Sequence, residues 1–410
     1  MKRHVIIGNG TAAVGCIEGI RSVNREDAIT VVSKENHSVY SRPLISYYLE
    51  GKTDTERMRY RDENFYSENR CDVRYGVTVD KIDTASGECV LSSGERIPFD
   101  DVCVAAGSTP FVPPMEGLDT VPKRFGFMTL DDALSLEKEL TPKTRVLIVG
   151  AGLIGLKCAE GIRDRVGSII VCDLADRVLS SILDSECAAI VQKHLESNGI
   201  SFLLSDSVAK FDGCTAYMKS GASVAFDVLV LAVGVRANIG LVKDLGGTVN
   251  RGIVVDTAME TSIPGVYAAG DCAEGYDASL GANRVLAILP NAYLQGRTAG
   301  INMAGGDEKF TNGIPMNSIG FFGLHIMSAG TYDGEMSEEK ADGILKRFFV
   351  RDDHLRGYIL IGETGRAGIY TALVREQTPL SEIDFEAAKK IAGSAIFSAD
   401  VRRKKFGGAV

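Results

Sequence analysis

The sequence contains no tryptophan, only five histidines and no Cys-x-x-Cys pair. The histidines show no ligand spacing, so neither a zinc centre nor an iron–sulfur cluster is expected. The nine cysteines lie mostly in apolar stretches, which fits a reduced cytoplasmic interior better than a disulfide framework. No apolar run approaches the roughly 18 residues that a spanning helix needs. Positive charge is also short: 45 Lys and Arg against 54 Asp and Glu give a net charge of −9. That balance argues against nucleic acid as the main partner. A strand opening near His4 leaves no room for a secretory leader at the start of this sequence. The rest is an ordinary globular composition, 45% hydrophobic and 24% charged over 410 residues, enough for two or three domains of roughly 150 residues each.

The most informative stretch begins at Arg145. Arg145 to Val149 reads as a short buried strand. It ends in Gly150-Ala151-Gly152-Leu153-Ile154-Gly155, which opens a helix, and a second strand, Ser168 to Cys172, ends in Asp173. Gly150 permits the tight turn, Gly152 lets backbone approach a pyrophosphate at the helix N-terminus, and Gly155 lets helix and strand pack closely. Asp173 stands where a carboxylate accepts from a ribose 2′-OH. A glycine-rich turn without a ligand is the alternative, and the strand, helix and acidic strand end together weigh against it. The start of the chain repeats the pattern: strand Val5 to Ile7, turn Gly8-Asn9-Gly10-Thr11-Ala12-Ala13, a helix to about Arg21, strand Ala28 to Val32, then Glu35. One nucleotide site serves many purposes. Two suggest electrons passing between dinucleotides, typically FAD and a nicotinamide.

Between and after these units the chain reads as follows. Arg42, just past the acidic strand end, is placed to neutralise a diphosphate, or is a surface arginine at an ordinary helix start fixed by Pro43. Arg57, Arg59 and Arg61 read as a solvated face. Val73 to Asp83 and Cys89 to Leu91 suggest a β-meander turning at Ser92 to Glu95. Strand Asp100 to Ala105 leads to Ala106-Gly107-Ser108-Thr109-Pro110 and a proline-rich linker, Phe111 to Pro114. A helix over Thr129 to Leu140 takes Thr129 or Asp131 as its cap. A second meander spans Ser201 to Phe226, and strand Val228 to Ala232 leads to Gly234-Val235-Arg236-Ala237-Asn238, like the exit at Gly107. Strand Val266 to Ala269 ends in Gly270-Asp271, where the carboxylate binds a ribityl hydroxyl or caps the next residues. A helix runs from Leu289 to Met303. From about residue 311, Gly320 to Gly323, Arg347 to Val350, Leu355 to Ile361 and Gly368 to Thr371 read as strands, and Phe385 to Ile391 as a helix. The basic end, Arg402 to Phe406, is a solvated tail or a docking arm for an acidic partner.

Together these motifs resemble the pyridine-nucleotide-disulfide oxidoreductase superfamily of two-dinucleotide flavoproteins, over nearly the whole chain. The resemblance implies an α/β fold: two Rossmann-like domains, each with a parallel central sheet and a β-meander, and a smaller α+β C-terminal domain. It implies an FAD domain split into 1–112 and 235–310, an NAD domain at 113–234, and a C-terminal interface domain at 311–410, through which subunits pair as a homodimer. Carried over residue by residue, Gly8, Gly10, Thr11, Ala12, Ala13, Ser33, Lys34, Glu35, Arg42, Pro43, Val79, Ala105, Ala106, Gly107, Gly270, Asp271 and Ala292 would line FAD. Gly150, Gly152, Leu153, Ile154, Asp173 and Gly234 would line NAD. The segment Tyr40-Ser41-Arg42-Pro43-Leu44 is similar to the rubredoxin reductase and nitrite reductase flavin-module branch, and to the flavoprotein associated with carbon monoxide dehydrogenase.

The departures matter. The first helix holds Cys16 alone, not a Cys-x4-Cys pair, and Ser38 to Ser46 lacks the single reactive cysteine of other branches, so no protein thiol is expected to relay electrons. Several relatives place a lysine after the Arg-Pro segment, near the flavin; here Ser46, Tyr47 and Tyr48 stand there. The expected reaction is hydride transfer from NADH to FAD, then single electrons to a rubredoxin or ferredoxin-like protein. No protein acid or base is required. Asp173 favours NADH over NADPH, with Arg177 a contrary signal. The alternatives are an NADH oxidase or diaphorase reducing oxygen, and an electron-transfer subunit of a larger complex; a disulfide reductase is disfavoured. No metal, nucleic acid or membrane is expected to take part.

Overall fold

A computed structural model describes residues 1–390. Two five-stranded parallel sheets organise it. The first runs in the order Val266–Ala268, Asp101–Val104, Arg3–Ile7, Ala28–Ser33, Cys71–Tyr75. The second runs Ile200–Leu203, Ser168–Cys172, Arg145–Val149, Val228–Leu231, Arg124–Phe125. Their central strands are short apolar runs buried on both faces, as parallel strands covered by helices must be. Each sheet carries a three-stranded antiparallel meander: Val79–Asp83, Glu88–Leu91 and Arg96–Pro98 for the first, Val208–Asp212, Thr215–Met218 and Ser223–Ala225 for the second. The α/β architecture expected from sequence is therefore present.

The meanders are shorter than expected. Cys71–Tyr75 and Ile200–Leu203 are not meander strands; each adds to the edge of a parallel sheet. Both connections to the following strand are too short for period alone to separate the two roles.

Two helices fasten the first sheet's ends. Thr11–Val23 and Leu289–Met303 cross at backbone contact. A Cβ on Gly15 would lie 2.2 Å from the Tyr293 carbonyl oxygen, and one on Gly296 would lie 1.9 Å from that of Ala12. The helical cost of these glycines is thus the condition of the close approach. Helix Leu130–Glu137 starts with a complete capping box, Thr129 accepting from Asp132 and Asp132 reaching back to the Thr129 backbone.

The C-terminal part is a five-stranded antiparallel sheet, in the order Met316–Phe321, Leu324–Gly330, His354–Ile361, Ile344–Arg351, Glu335–Ala341. Two readings change here, and a strand is added that was not expected from sequence. Phe322 and Gly323, with φ of 46° and 87°, form the hairpin turn and not a strand. Gly368 to Thr371 is part of a helix, Ala367–Glu376, whose Ala367, Tyr370, Thr371, Leu373 and Val374 are buried at helical spacing. Glu335–Ala341, exposed along its length, is an edge strand paired with Ile344–Arg351. Helix Phe385–Lys390 follows, and the basic stretch Arg402 to Phe406 lies outside the described residues. Among the described residues no helix is long and apolar enough to cross a membrane.

Candidate active site: two dinucleotide cradles and their junction

The two glycine turns are built alike. Gly8 and Gly150 both have positive φ, 114° and 118°, and a Cβ on either would fall 2.2 Å from a carbonyl oxygen of the neighbouring strand's exit, Ala105 or Ala232. Only glycine is tolerated at such a crossing. Gly10 and Gly152 then cap the helices Thr11–Val23 and Leu153–Ile162 with extended backbone and no side-chain cap bond. Nothing lies within 4 Å of a Cβ built on either. Each turn thus presents uncapped helix N–H groups beside an open backbone face, which suits a pyrophosphate.

Around the first turn the structure brings together Gly8, Ala12, Ala105, Gly270 and Ala292: a Cβ on Gly270 would meet the Ala12 and Ala292 methyls at 3.1 and 3.6 Å. Thr11 and Ala13, on the helix that this turn opens, are buried, as is Val79; Ala13 and Val79 belong to the apolar core of this half. Asp271 accepts from Ser108 Oγ at 3.4 Å. Burial raises its carboxyl above the ordinary value, against the pull of Ser108 and Arg42. The exit peptides are held by Asn238, whose Nδ2 donates to the Ala106 carbonyl at 2.8 Å and whose N–H donates to that of Gly107 at 3.0 Å.

At the far end of this cradle, Ser33 Oγ donates to the Glu35 carbonyl at 2.8 Å, while Lys34 is exposed. Glu35 accepts from Tyr40 Oη at 2.7 Å and pairs with Arg42 Nη2. Arg42 Nη1 donates to the Met128 carbonyl at 3.1 Å, with Pro43 fixing the short 3₁₀ turn that follows. Burial works against the Arg42 charge, but Tyr40 and Glu35 outweigh it and hold its pKa raised. The arginine expected on a diphosphate is therefore engaged with the carboxylate expected on a ribose.

In the second cradle Leu153 and Ile154 are half-buried at the helix start. Asp173 accepts from Ala151 N–H at 2.6 Å on one oxygen and from Ala175 N–H at 2.8 Å on the other, so its carboxylate is pinned across the glycine turn. Arg177 donates to the Leu183 carbonyl at 3.2 Å and pairs with Asp176 at 2.7 Å, which occupies the contrary signal.

The two exits meet. Ser108–Pro110 pairs antiparallel with Val235–Ala237, directly after Gly107 and Gly234. The Arg236 guanidinium lies 3.9 Å from the Phe111 ring centroid. Beside this pair opens a cleft of about 710 Å³ whose walls include Thr109, Pro110, Phe125, Gly126 and Leu231, a size that suits a nucleotide's ring end.

Sequence reasoning missed three participants: Tyr40, Asn238 and Lys157. Lys157 lies on the helix that opens at Gly152. Its Nζ stands 4.7 Å from the Tyr47 ring centroid, pairs with buried Glu160, and donates to the Gly320 carbonyl at 3.2 Å. A lysine and a glutamate in the otherwise apolar run LIGLKCAEGI were its only signal. All nine cysteines are free; eight are buried or half-buried and Cys214 is exposed.

Residues 2–296 match the pyridine nucleotide-disulphide oxidoreductase family. The NADH-dependent phenylglyoxylate dehydrogenase subunit epsilon of Aromatoleum evansii is 28% identical over 93% of both chains. An NADH oxidase of Methanocaldococcus jannaschii is 34% identical over 75% of this chain and 71% of that protein. The nitrite reductase [NAD(P)H] of Bacillus subtilis is 30% identical over 93% of this chain, which spans only 48% of that relative's length. Among solved structures, the reductase in a covalent putidaredoxin reductase–putidaredoxin complex superposes with a TM-score of 0.87 at 21% identity, covering 94% and 95% of the two chains. NADH:rubredoxin oxidoreductase from Clostridium acetobutylicum superposes with a TM-score of 0.75 at 22% identity, covering 95% and 98%.

Proposed function

This chain belongs to the pyridine nucleotide-disulphide oxidoreductase family, and from that membership we propose that it is an FAD-dependent NADH oxidoreductase that passes electrons to a small redox protein of the rubredoxin or ferredoxin type. The observation that carries the proposal is the duplicated cradle: two open glycine turns on two parallel sheets whose exits pair with one another. That arrangement turns the reactive ends of two dinucleotides toward one junction, which supplies the proximity and orientation that hydride transfer needs.

In this reading the first cradle holds FAD. Gly8, Gly10, Thr11, Ala12 and Ala13 surround the pyrophosphate; Ser33, Lys34, Glu35, Arg42, Pro43 and Val79 the adenosine end; Ala105, Ala106, Gly107, Gly270, Asp271 and Ala292 the ribityl and ring end. The second cradle holds NADH along Gly150, Gly152, Leu153, Ile154, Asp173 and Gly234. Bound FAD supplies a two-electron acceptor that releases electrons one at a time. The chain's own work is binding, orientation and exclusion of water. Asp173, already fixed by two backbone N–H groups, presents a carboxylate that disfavours a 2′-phosphate, and Arg177 is not free to offset it.

We assign 1–112 with 235–310 to the FAD domain, 113–234 to the NAD domain and 311–410 to an interface domain that pairs subunits, in a cytoplasmic protein. A second reading, an electron-transfer subunit of a larger assembly, is favoured by the end-to-end likeness to a dehydrogenase subunit. The test is anaerobic. The protein is reduced with one equivalent of NADH, then mixed rapidly with rubredoxin, with a ferredoxin-type protein, or with oxygenated buffer. Fast reoxidation by one redox protein and slow reoxidation by oxygen is the expected result. Fast reoxidation by oxygen alone makes the protein an NADH oxidase. Reoxidation by none of them leaves the subunit reading.

A further inference from the structure

Tyr40 sits between two parts of the molecule. Its ring is 9% exposed and belongs to the apolar cluster of the second sheet, with Ile45, Leu49 and Leu130. Its hydroxyl points the other way, to the first cradle. There it donates to Glu35 Oε2 at 2.7 Å and accepts from Arg42 Nη1 at 3.2 Å and from the Leu130 N–H at 2.9 Å. Leu130 is the first residue of the helix that Thr129 caps. One hydroxyl thus joins a strand-end carboxylate, a half-buried arginine and a helix start from the neighbouring half, and its one proton goes to the carboxylate.

We propose that Tyr40 is the positioning residue that aims Glu35 at the adenosine ribose of the flavin nucleotide, and that it ties this aim to the seating of helix Leu130–Glu137. The inference rests on the FAD reading of the first cradle. A carboxylate oxygen has two acceptor directions. Tyr40 and Arg42 each take one, on different oxygens, so the rotation of the carboxylate is set and its remaining lone pairs are fixed for a ribose donor. Without the hydroxyl, Glu35 keeps only the arginine and is free to turn with it. The Leu130 N–H, a helix-end donor, loses its acceptor as well.

The test compares two flavins on the same apoprotein. FAD carries the adenosine ribose; FMN does not. Binding is followed by flavin fluorescence, without a tryptophan background because the chain has none. Tyr40→Phe is expected to raise the FAD Kd about tenfold, the scale of one hydrogen bond to a charged group, and to leave the FMN Kd unchanged. Amide exchange at Leu130 in the FAD-loaded protein should rise, while that of Arg145–Val149 should not. Equal weakening of FAD and FMN would mean a general structural role and overturn the inference, as would no change in either. Failure of the wild-type apoprotein to take up FAD sinks the cofactor reading itself and this inference with it. If Tyr40→Phe does not fold, Leu130→Pro removes that N–H at a first helical position whose backbone tolerates proline; it also removes the buried Leu130 side chain, a loss that FAD and FMN binding share. A smaller FAD-selective loss is then expected, and an unchanged FAD Kd overturns the link.

Discussion

Asp173 shows how much one side chain carries. It closes the glycine turn through Ala151 N–H, orders the next residues through Ala175 N–H, and stands where the cofactor's ribose is expected. Asp173→Ala should lower kcat/KM for NADH by about tenfold, from the loss of a charge-assisted hydrogen bond. NADPH should lose far less, so the ratio of the two narrows; steady-state kinetics with both cofactors decides it. A ratio that stays fixed would leave Asp173 a turn-former only. The aspartate was legible because a strand end after a glycine turn leaves few places for a carboxylate. The same reasoning found Gly8 and Gly150, whose left-handed backbone and 2.2 Å crossings admit no side chain. It did not find the roles of Tyr40 and Lys157. Both act through contacts between elements far apart in the chain, Glu35 with Leu130 and Tyr47 with Gly320, and nothing in local period or spacing records these.

At the scale of elements, period decided what could be read. Buried strands and capped helices announced themselves. The edge strand Glu335–Ala341 did not, because its residues face water throughout and only its register with Ile344–Arg351 makes it a strand. Helix Ala367–Glu376 was hidden because its short stretch Gly368 to Thr371 holds too few residues to separate a helical from an extended period. Two further pairings repeat between the halves. Arg3 grips Asp100 with its N–H and guanidinium at 2.7 and 2.9 Å, and Arg145 grips Asp227 at 2.8 and 2.8 Å. The arginines, by side-chain and backbone hydrogen bonds, hold both carboxyls down to about 2. A carboxyl lowered on folding lends stability above its unfolded value, near 4, and gives it up as pH falls toward 2. Thermal midpoints should therefore drop between those limits, and the double variant Arg3→Met/Arg145→Met should drop less steeply there. Equal slopes would sever the clips from acid stability. A larger effect is expected inside the molecule. Lys157→Met leaves the Glu160 carboxylate, 6% exposed, without its cation. Loss of one partner of a buried pair costs about 3–5 kcal/mol, and chemical denaturation should show most of it.

At the scale of the whole molecule, the C-terminal sheet acts as a brace across both halves. On the second half, the Phe322 N–H donates to Glu160 at 2.7 Å, His194 Nε2 donates to the Phe321 carbonyl at 2.9 Å, and Arg347, almost fully buried, pairs with Asp184, Glu186 and Glu338. On the first, Arg356 of strand His354–Ile361 donates to the Ser279 carbonyl, and the segment leading into the sheet is held by Asn291 Nδ2 donating to the Ile314 carbonyl and Ala278 N–H to that of Gly313, both at 2.8 Å. Arg347→Met should loosen one side of the brace. Faster amide exchange is expected in Glu335–Ala341 and at the start of helix Ser185–Ser197, with Arg3–Ile7 unchanged; uniform exchange across all three would count against a local brace. The crossing of helices Thr11–Val23 and Leu289–Met303 has a consequence of another kind. The strands of the second sheet are all contained between residues 124 and 231, whereas the first sheet waits for Val266–Ala268 and its helix contact waits for Gly296. On the ribosome, which releases the chain from its N-terminus onward, the half built on the second sheet can close while the half built on the first still lacks its last strand and its closing helix. The first helix, although made early, must remain without its partner until almost three hundred residues have emerged, and an intervening half that has already folded keeps the two ends near enough to meet.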